Sequence, residues 1–384
     1  MKRWILALVA ALASNLAYAQ DGKASELFEL DPQFGKFRYL QIIGHSGVHI
    51  YTGETMDQLL EGGYGALEVR IGWQTKGEYD WEAPYKNMSY GLGWYSGAIG
   101  DPEILGSPNG LYGFVDFPLT YGRRTNQHIS SAVGLSYDLN PYTEENTAND
   151  AIGSPVNVYF NLAYGFQTRL NREMDLLYGL DLTHFSNGRF ATPNLGLNMF
   201  GLYLGIQYRW NAMQKEIDAD PFSHRLLQVR PQDPSPRKAT PRNEDYIHVY
   251  YAAGSVQTNA QAGTSDRYLT SSIVAEYQYQ FNSMHAVAGG LDLFYDASLS
   301  EKFEDTPEWW LLGTHIGYDF MFYRFTIRAQ VGTYLTDDRG KGGFFLRPAV
   351  KYDVTDNFYG QLGLKTLNGG ISDWVEFGVG FRIF

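Results

Sequence analysis

Apolar and polar residues alternate with period two along most of this chain, in sixteen separate runs. Such alternation puts successive side chains on opposite faces of an extended strand. The first eight runs lie near 41–52, 64–75, 88–97, 111–120, 127–138, 155–169, 173–186 and 197–210. The other eight lie near 245–258, 267–281, 285–299, 309–320, 322–335, 343–353, 357–367 and 373–384. The connections add a second regularity. If odd strands run outward from a periplasmic N-terminus, a membrane barrel has short turns after even strands and longer loops after odd ones. The connections 170–172, 282–284, 354–356 and the turn at Met321 are short, 98–110 and 139–154 are long, and 76–87 is a long exception. The pattern predicts an all-β fold, an antiparallel transmembrane outer-membrane β-barrel of about sixteen strands.

One stretch breaks the alternation. Residues 211–244 hold five of the 15 prolines, carry many charges and read as a linker, periplasmic by the strand count. The break separates two sets of eight strands. Either one barrel of about sixteen strands makes a periplasmic excursion, or two eight-stranded units stand in tandem. The single barrel, the more familiar solution, is the preferred expectation.

Composition sharpens the membrane reading. Tyr 29, Phe 23 and Trp 8 bring the aromatic share to 16%, beside 42 Gly, and mean hydropathy is only −0.31. Aromatic girdles around a polar lumen have this profile. A net charge of −12 argues against a nucleic-acid partner, which needs a basic surface. The chain has no Cys, so thiolate chemistry and Cys-based metal sites are excluded. Lys2 and Arg3, the apolar run 4–13 and Ala17-Tyr18-Ala19 predict a cleaved export signal over 1–19. The expected organisation is therefore 1–19 signal peptide, 20–40 periplasmic segment, 41–211 first barrel region, 212–244 linker and 245–384 C-terminal strands. The last strand ends on Phe384, one residue out of step with its apolar alternation of Val375, Phe377, Val379, Phe381 and Ile383.

Alternation also assigns faces. On 173–186, Leu176, Tyr178, Leu180 and Leu182 share a parity that His184 and Ser186 continue. The other parity holds Asp175, Gly179, Asp181 and Thr183, with Leu177 as an exception. The apolar face of a barrel strand meets lipid, so His184 and Ser186 are expected outward, at the outer-leaflet end. On the next strand, Asn198 shares its parity with Phe200, Leu202, Leu204, Ile206 and Tyr208 and is outward too. Three polar residues on a lipid face at one depth are costly unless used or paired. A substrate that is itself a lipid would account for them.

A Ser hydroxyl becomes a nucleophile when a base takes its proton, and His is the usual base, oriented by a third group. Residues two apart on a strand are neighbours, so His184 is expected to reach Ser186. Asn198 could orient the other imidazole nitrogen, although it cannot neutralise an imidazolium. The loop after Ser186 offers Asn187, Gly188 and Asn194 as oxyanion donors. This chemistry is ester hydrolysis on an acyl chain. The bland alternative is a pair of polar residues in the interfacial girdle.

The runs His184-Phe-Ser-Asn-Gly188 and Pro193-Asn-Leu-Gly-Leu-Asn198 resemble the signature of the PagL-type lipid A 3-O-deacylases, the acyloxyacyl hydrolase-like outer-membrane proteins. The resemblance extends over roughly 41–211 and takes in Gly100-Asp-Pro-Glu-Ile-Leu-Gly106, Tyr112-Gly-Phe-Val-Asp-Phe-Pro118 and Ala151-Ile-Gly-Ser154. Gly313-Thr-His-Ile-Gly-Tyr-Asp319 and Asp373-Trp-Val-Glu-Phe-Gly378 resemble the C-terminal extension of longer relatives. The resemblance implies a membrane barrel of the Gram-negative outer membrane, and Phe384 is close to the terminal aromatic that such barrels present to their assembly machinery, an expected partner. The barrel would act on lipopolysaccharide, without a cofactor, through a lipid-facing Ser/His/acid triad that releases a 3-hydroxyacyl chain from lipid A. By position His184 is the base, Ser186 the nucleophile and Asn194 an oxyanion donor. Asn198 stands where characterised deacylases have Glu.

Other polar residues carry weaker patterns. Gly44-His45-Ser46-Gly47 lacks the final glycine of a nucleophile elbow, and His45 and His49 are expected in the lumen as structural groups. His315 and Asp319 share a lumen parity and are expected to pair there. Two rival functions remain open: a channel or passive scaffold, and a catalytically silent lipid A-binding barrel.

Overall fold

The computed structural model describes residues 38–51, 53, 56–75, 83–85, 88–120, 124–170, 173–210, 241–258 and 266–383. The expected signal segment and most of the linker lie outside these residues, as does Phe384. Sixteen antiparallel strands are present: β1 Arg38–His49, β2 Tyr64–Gln74, β3 Ser89–Ala98, β4 Gly106–Pro118, β5 Thr125–Leu139, β6 Asn157–Arg169, β7 Met174–Ser186, β8 Leu197–Trp210, β9 Pro241–Gln257, β10 Arg267–Asn282, β11 His285–Asp296, β12 Trp310–Phe322, β13 Phe325–Tyr334, β14 Phe344–Asp353, β15 Phe358–Leu367 and β16 Ile371–Ile383. β9 begins at Pro241, inside the stretch expected to be linker.

The strands close as two barrels, β1–β8 and β9–β16, not as the single barrel that was preferred. β8 pairs with β1 along its whole length, from Arg38↔Trp210 to His49↔Met199. β16 closes on β9 over a shorter register, from Phe377↔Ala253 to Ile383↔Ile247. Each set therefore satisfies its own edges, and β8 has no free edge to offer β9.

Eight strands enclose an interior that side chains can fill, and both lumens are filled. In the first, His45 lies 3.2 Å from Glu68 and 3.3 Å from Asp181, and Arg70 pairs with Glu68 at 2.8 Å. His49 packs its ring against Tyr64. Leu177, the parity exception on β7, is buried there with Ile43, Ala163 and Tyr203. An apolar residue on the lumen parity thus belongs to an interior apolar cluster.

In the second lumen, Arg328 bridges Glu276 and Asp319, each at 2.6 Å, and Arg347 bridges Asp292 at 2.8 Å and Glu376 at 3.1 Å. His315 and Asp319 both face this lumen but do not pair. His315 binds Asp292 and Glu276, while Asp319 is taken by Arg328. A guanidinium competes better for a carboxylate because it is always charged and can bind it through two N–H groups. Among the described residues, these clusters occupy the interior that one sixteen-stranded barrel would leave to water. Because buried charges stripped of a partner are costly, Arg328→Ala should destabilise the protein by about 3–5 kcal/mol. Urea titration of the reconstituted barrel would read this, and an unshifted midpoint would show that the cluster adds nothing.

The barrels touch at both ends. At the end holding the β2–β3 connection, Tyr85 and Phe117 each meet Phe320 edge-to-face at 5.7 Å and Phe322 edge-to-face at 6.5 and 6.4 Å, and the Tyr85 hydroxyl donates to the Met321 carbonyl. At the other end, the loop after β7 meets β9, β10 and β16. Between the two contacts, apolar residues such as Leu180, Leu202, Leu362 and Phe377 remain exposed.

Candidate active site

β7 and β8 bring the signature residues together because their register sets His184 directly opposite Asn198. The anchor is Phe185, between the two polar residues and on the opposite face. It is fully buried in the lumen against Tyr95 and Tyr159, with ring centroids 5.7 and 5.6 Å away. Two and four residues earlier, Thr183 and Asp181 share the amide of Asn161 at 2.9 and 3.0 Å. A one-residue slip would turn these groups outward, so lumen packing fixes the outward aim of His184 and Ser186.

His184 Nδ1 lies 2.7 Å from Asn198 Oδ1. A carbonyl oxygen only accepts, so Nδ1 carries the proton and Nε2 keeps its lone pair. Gly196 closes over the imidazole with φ +76°, and a Cβ there would lie 2.9 Å from His184 Cε1. Glycine serves both needs at this position, the left-handed backbone and the close approach.

Ser186 ends β7 and is only 8% exposed. Its parity is outward, as expected, but the loop 187–196 folds over it. Asn194 Nδ2 donates to Ser186 Oγ at 3.1 Å, and the Gly188 N–H donates to it at 3.2 Å. The Asn187 N–H donates to Asn194 Oδ1 at 3.0 Å, and Asn187 Oδ1 accepts from the Ala191 N–H. Asn187 Nδ2 is buried without a hydrogen-bond partner. No hydrogen bond joins His184 to Ser186, contrary to expectation. The serine hydroxyl, at the strand end, is held by Asn194 and Gly188. Catalytic hydrogen bonds are often loose until substrate is bound.

The structure therefore sorts the six sequence candidates into two hydrogen-bonded groups at the end of β7 and β8, His184 with Asn198, and Ser186 with Asn187, Gly188 and Asn194. It also adds residues that pattern reading passed over. Asn149 Oδ1 accepts from the Ala151 and Ile152 N–H groups, and Ala151 in turn accepts from the Gly196 N–H at 3.0 Å. The loop 139–154 thus supports the glycine that covers His184. Its motif Ala151-Ile-Gly-Ser154 was visible in the sequence, but nothing there showed what it would touch. From the second barrel, Gln257, Arg267 and Val375 meet the loop between residues 188 and 192.

Residues 67–207 match the family described as lipid A 3-O-deacylase (PagL), and residues 245–384 match acyloxyacyl hydrolase, C-terminal domain. No curated protein matches the chain. Among solved structures, the outer membrane enzyme PagL is similar at 11% identity and a TM-score of 0.29, over 43% of this chain and 97% of that one. Neisserial surface protein A (NspA) is similar at 9% identity and a TM-score of 0.31, over 45% of this chain and 97% of that one. The N-terminal β-barrel domain of Pseudomonas aeruginosa OprF is similar at 12% identity and a TM-score of 0.27, over 44% and 97%.

Proposed function

Since the chain belongs to the PagL-type lipid A 3-O-deacylase family through both of its matched regions, we propose that its first barrel is an outer-membrane esterase that removes the 3-linked hydroxyacyl chain of lipid A. The observation that carries this reading is the outward cluster at the end of β7 and β8, where His184 and Asn198 pair at 2.7 Å beside Ser186.

In this reading Ser186 Oγ attacks the ester carbonyl carbon as His184 Nε2 takes the hydroxyl proton. Asn198 holds the imidazole in the tautomer that leaves Nε2 free. The carbonyl oxygen becomes an oxyanion as the new C–O bond forms. Asn187, Gly188 and Asn194 are the donors assigned to it in this reading. Collapse expels the sugar oxygen, which takes the proton from His184 and leaves an acyl-serine. Water then attacks the acyl carbonyl, with His184 again as base, and a free 3-hydroxy fatty acid leaves. Because the loop already supplies amide donors to Ser186 Oγ, the substrate has to displace or share them to bring Ser186 within reach of His184.

Asn198 favours a second reading, a barrel that binds lipid A without cleaving it, since an amide cannot neutralise the imidazolium that forms during attack. Mass spectrometry of lipid A from cells with and without the protein separates the two. The esterase reading expects a species lighter by one ester-linked 3-hydroxyacyl chain, appearing only with the protein. Identical spectra would overturn it.

A further inference from the structure

We propose that the second barrel is a positioning unit for this site: Gln257 and Arg267 clamp the turn Arg189–Thr192 and so hold the amide donors beside Ser186. The proposal rests on the reading of Ser186 and His184 as the reacting pair.

The contacts lie at the two ends of one turn. Gln257, the last residue of β9, is buried, and its Oε1 accepts from the Thr192 N–H at 2.9 Å. Its own backbone N–H donates to the Arg189 carbonyl at 3.5 Å. Arg267, the first residue of β10, sets its guanidinium 3.9 Å from the centre of the Phe190 ring. Val375 of β16 packs so closely on Gly188 that a side chain there would collide with it.

The clamped turn lies between the two residues that bond the nucleophile. Gly188, whose N–H donates to Ser186 Oγ, immediately precedes Arg189. Asn194, whose amide also reaches Ser186 Oγ, follows Thr192 by two residues. The turn has little of its own to hold it. Gly188 and Arg189 both have positive φ, at 63° and 67°, and Asn187 makes the internal bonds to Phe190 and Ala191. Left-handed backbone at a non-glycine residue persists where its surroundings over-determine it. Here part of those surroundings comes from another barrel. Donors for a developing oxyanion need placement within about 0.5 Å, and a shift near 1 Å can cost about 10²-fold in rate.

The contact at the far end, Tyr85 and Phe117 against Phe320 and Phe322, docks the barrels without touching the turn and supplies a control. The test uses the full chain in vesicles containing lipopolysaccharide. It reads kcat and KM for fatty-acid release, and trypsin cleavage after Arg189. The double variant Gln257→Ala/Arg267→Ala should lower kcat about tenfold with KM little changed, and should open the Arg189–Phe190 bond to trypsin. Gln257→Glu in place of Gln257→Ala keeps the acceptor for Thr192 and should recover most of both. Phe322→Ala should leave both close to wild type. Unchanged kcat and cleavage in the double variant, or an equal loss in Phe322→Ala, would overturn the clamp. If the wild-type protein releases no fatty acid while cleavage still follows this order, the clamp stands and the esterase reading falls.

Discussion

Ser186→Ala is expected to abolish fatty-acid release from lipid A, lowering kcat by at least about 10³-fold while the barrel folds as before. The side chain is small and sits at the end of a strand, so the change removes one hydroxyl and leaves no large cavity. What it removes is the atom at which Asn194 Nδ2, the Gly188 N–H and, in the proposed reaction, His184 Nε2 converge. The substitution also frees both donors, so lipid A binding should persist, as co-sedimentation of the same preparation with vesicles would measure. Equal release from variant and wild type would remove Ser186 from the chemistry whatever the family.

Replacing Asn198 with an acid should move activity in the opposite direction. Asn198 already selects the imidazole tautomer through its 2.7 Å contact, so the orienting part of the third member's role is filled. What an amide lacks is the negative charge that stabilises an imidazolium. In a triad where the acid-to-amide change also inverts the tautomer, the loss is about 10⁴-fold in kcat. With the tautomer intact, restoring charge should be worth less, about 10- to 100-fold, equivalent to roughly 1.4–2.7 kcal/mol of barrier. Asn198→Asp keeps the length of the side chain, and Asn198→Glu adds one methylene, which the cross-strand pairing with His184 must accommodate. Rates for both variants against wild type, on the same lipid A, decide the matter. If neither rises, the missing charge is not what limits the enzyme.

The strands were legible because a barrel strand has one face in lipid and one in a polar lumen, and that contrast is written at every second residue. The same contrast gave the outward aim of His184, Ser186 and Asn198. Closure was not legible. Alternation states which way a side chain points and says nothing about which strand lies alongside, so one large barrel and two small ones share the same pattern. Ring closure by β8 on β1 and by β16 on β9 is a property of pairing, decided by contacts between residues far apart in the chain. Leu177 looked like an error in the pattern and is instead part of an apolar cluster inside the lumen.

At the site, the residue types and their spacing could be read, and the arrangement around them could not. Nothing in His184-Phe-Ser-Asn-Gly188 shows that the serine hydroxyl rests on Asn194 and Gly188 instead of on the histidine. The role of Gly196 follows from a backbone angle and a distance to an imidazole, neither of which has a sequence signature. Gln257 reaches Thr192 across 65 positions and an intervening linker, which no local motif reports. His315 and Asp319 were read as partners from parity alone. They share the lumen, but stronger partners were available to each.

The plugged lumen and the outward serine together decide how substrate can arrive. The described residues leave no passage through the barrel to the site, so in the proposed reaction a lipid comes sideways, by diffusing within its own leaflet until it meets β7 and β8. The encounter rate is then governed by the number of substrate molecules per unit area of membrane, and adding more membrane of the same composition leaves it unchanged. Diluting lipid A with inert lipid or detergent at constant total substrate should slow the reaction, as though the enzyme's solvent were two-dimensional.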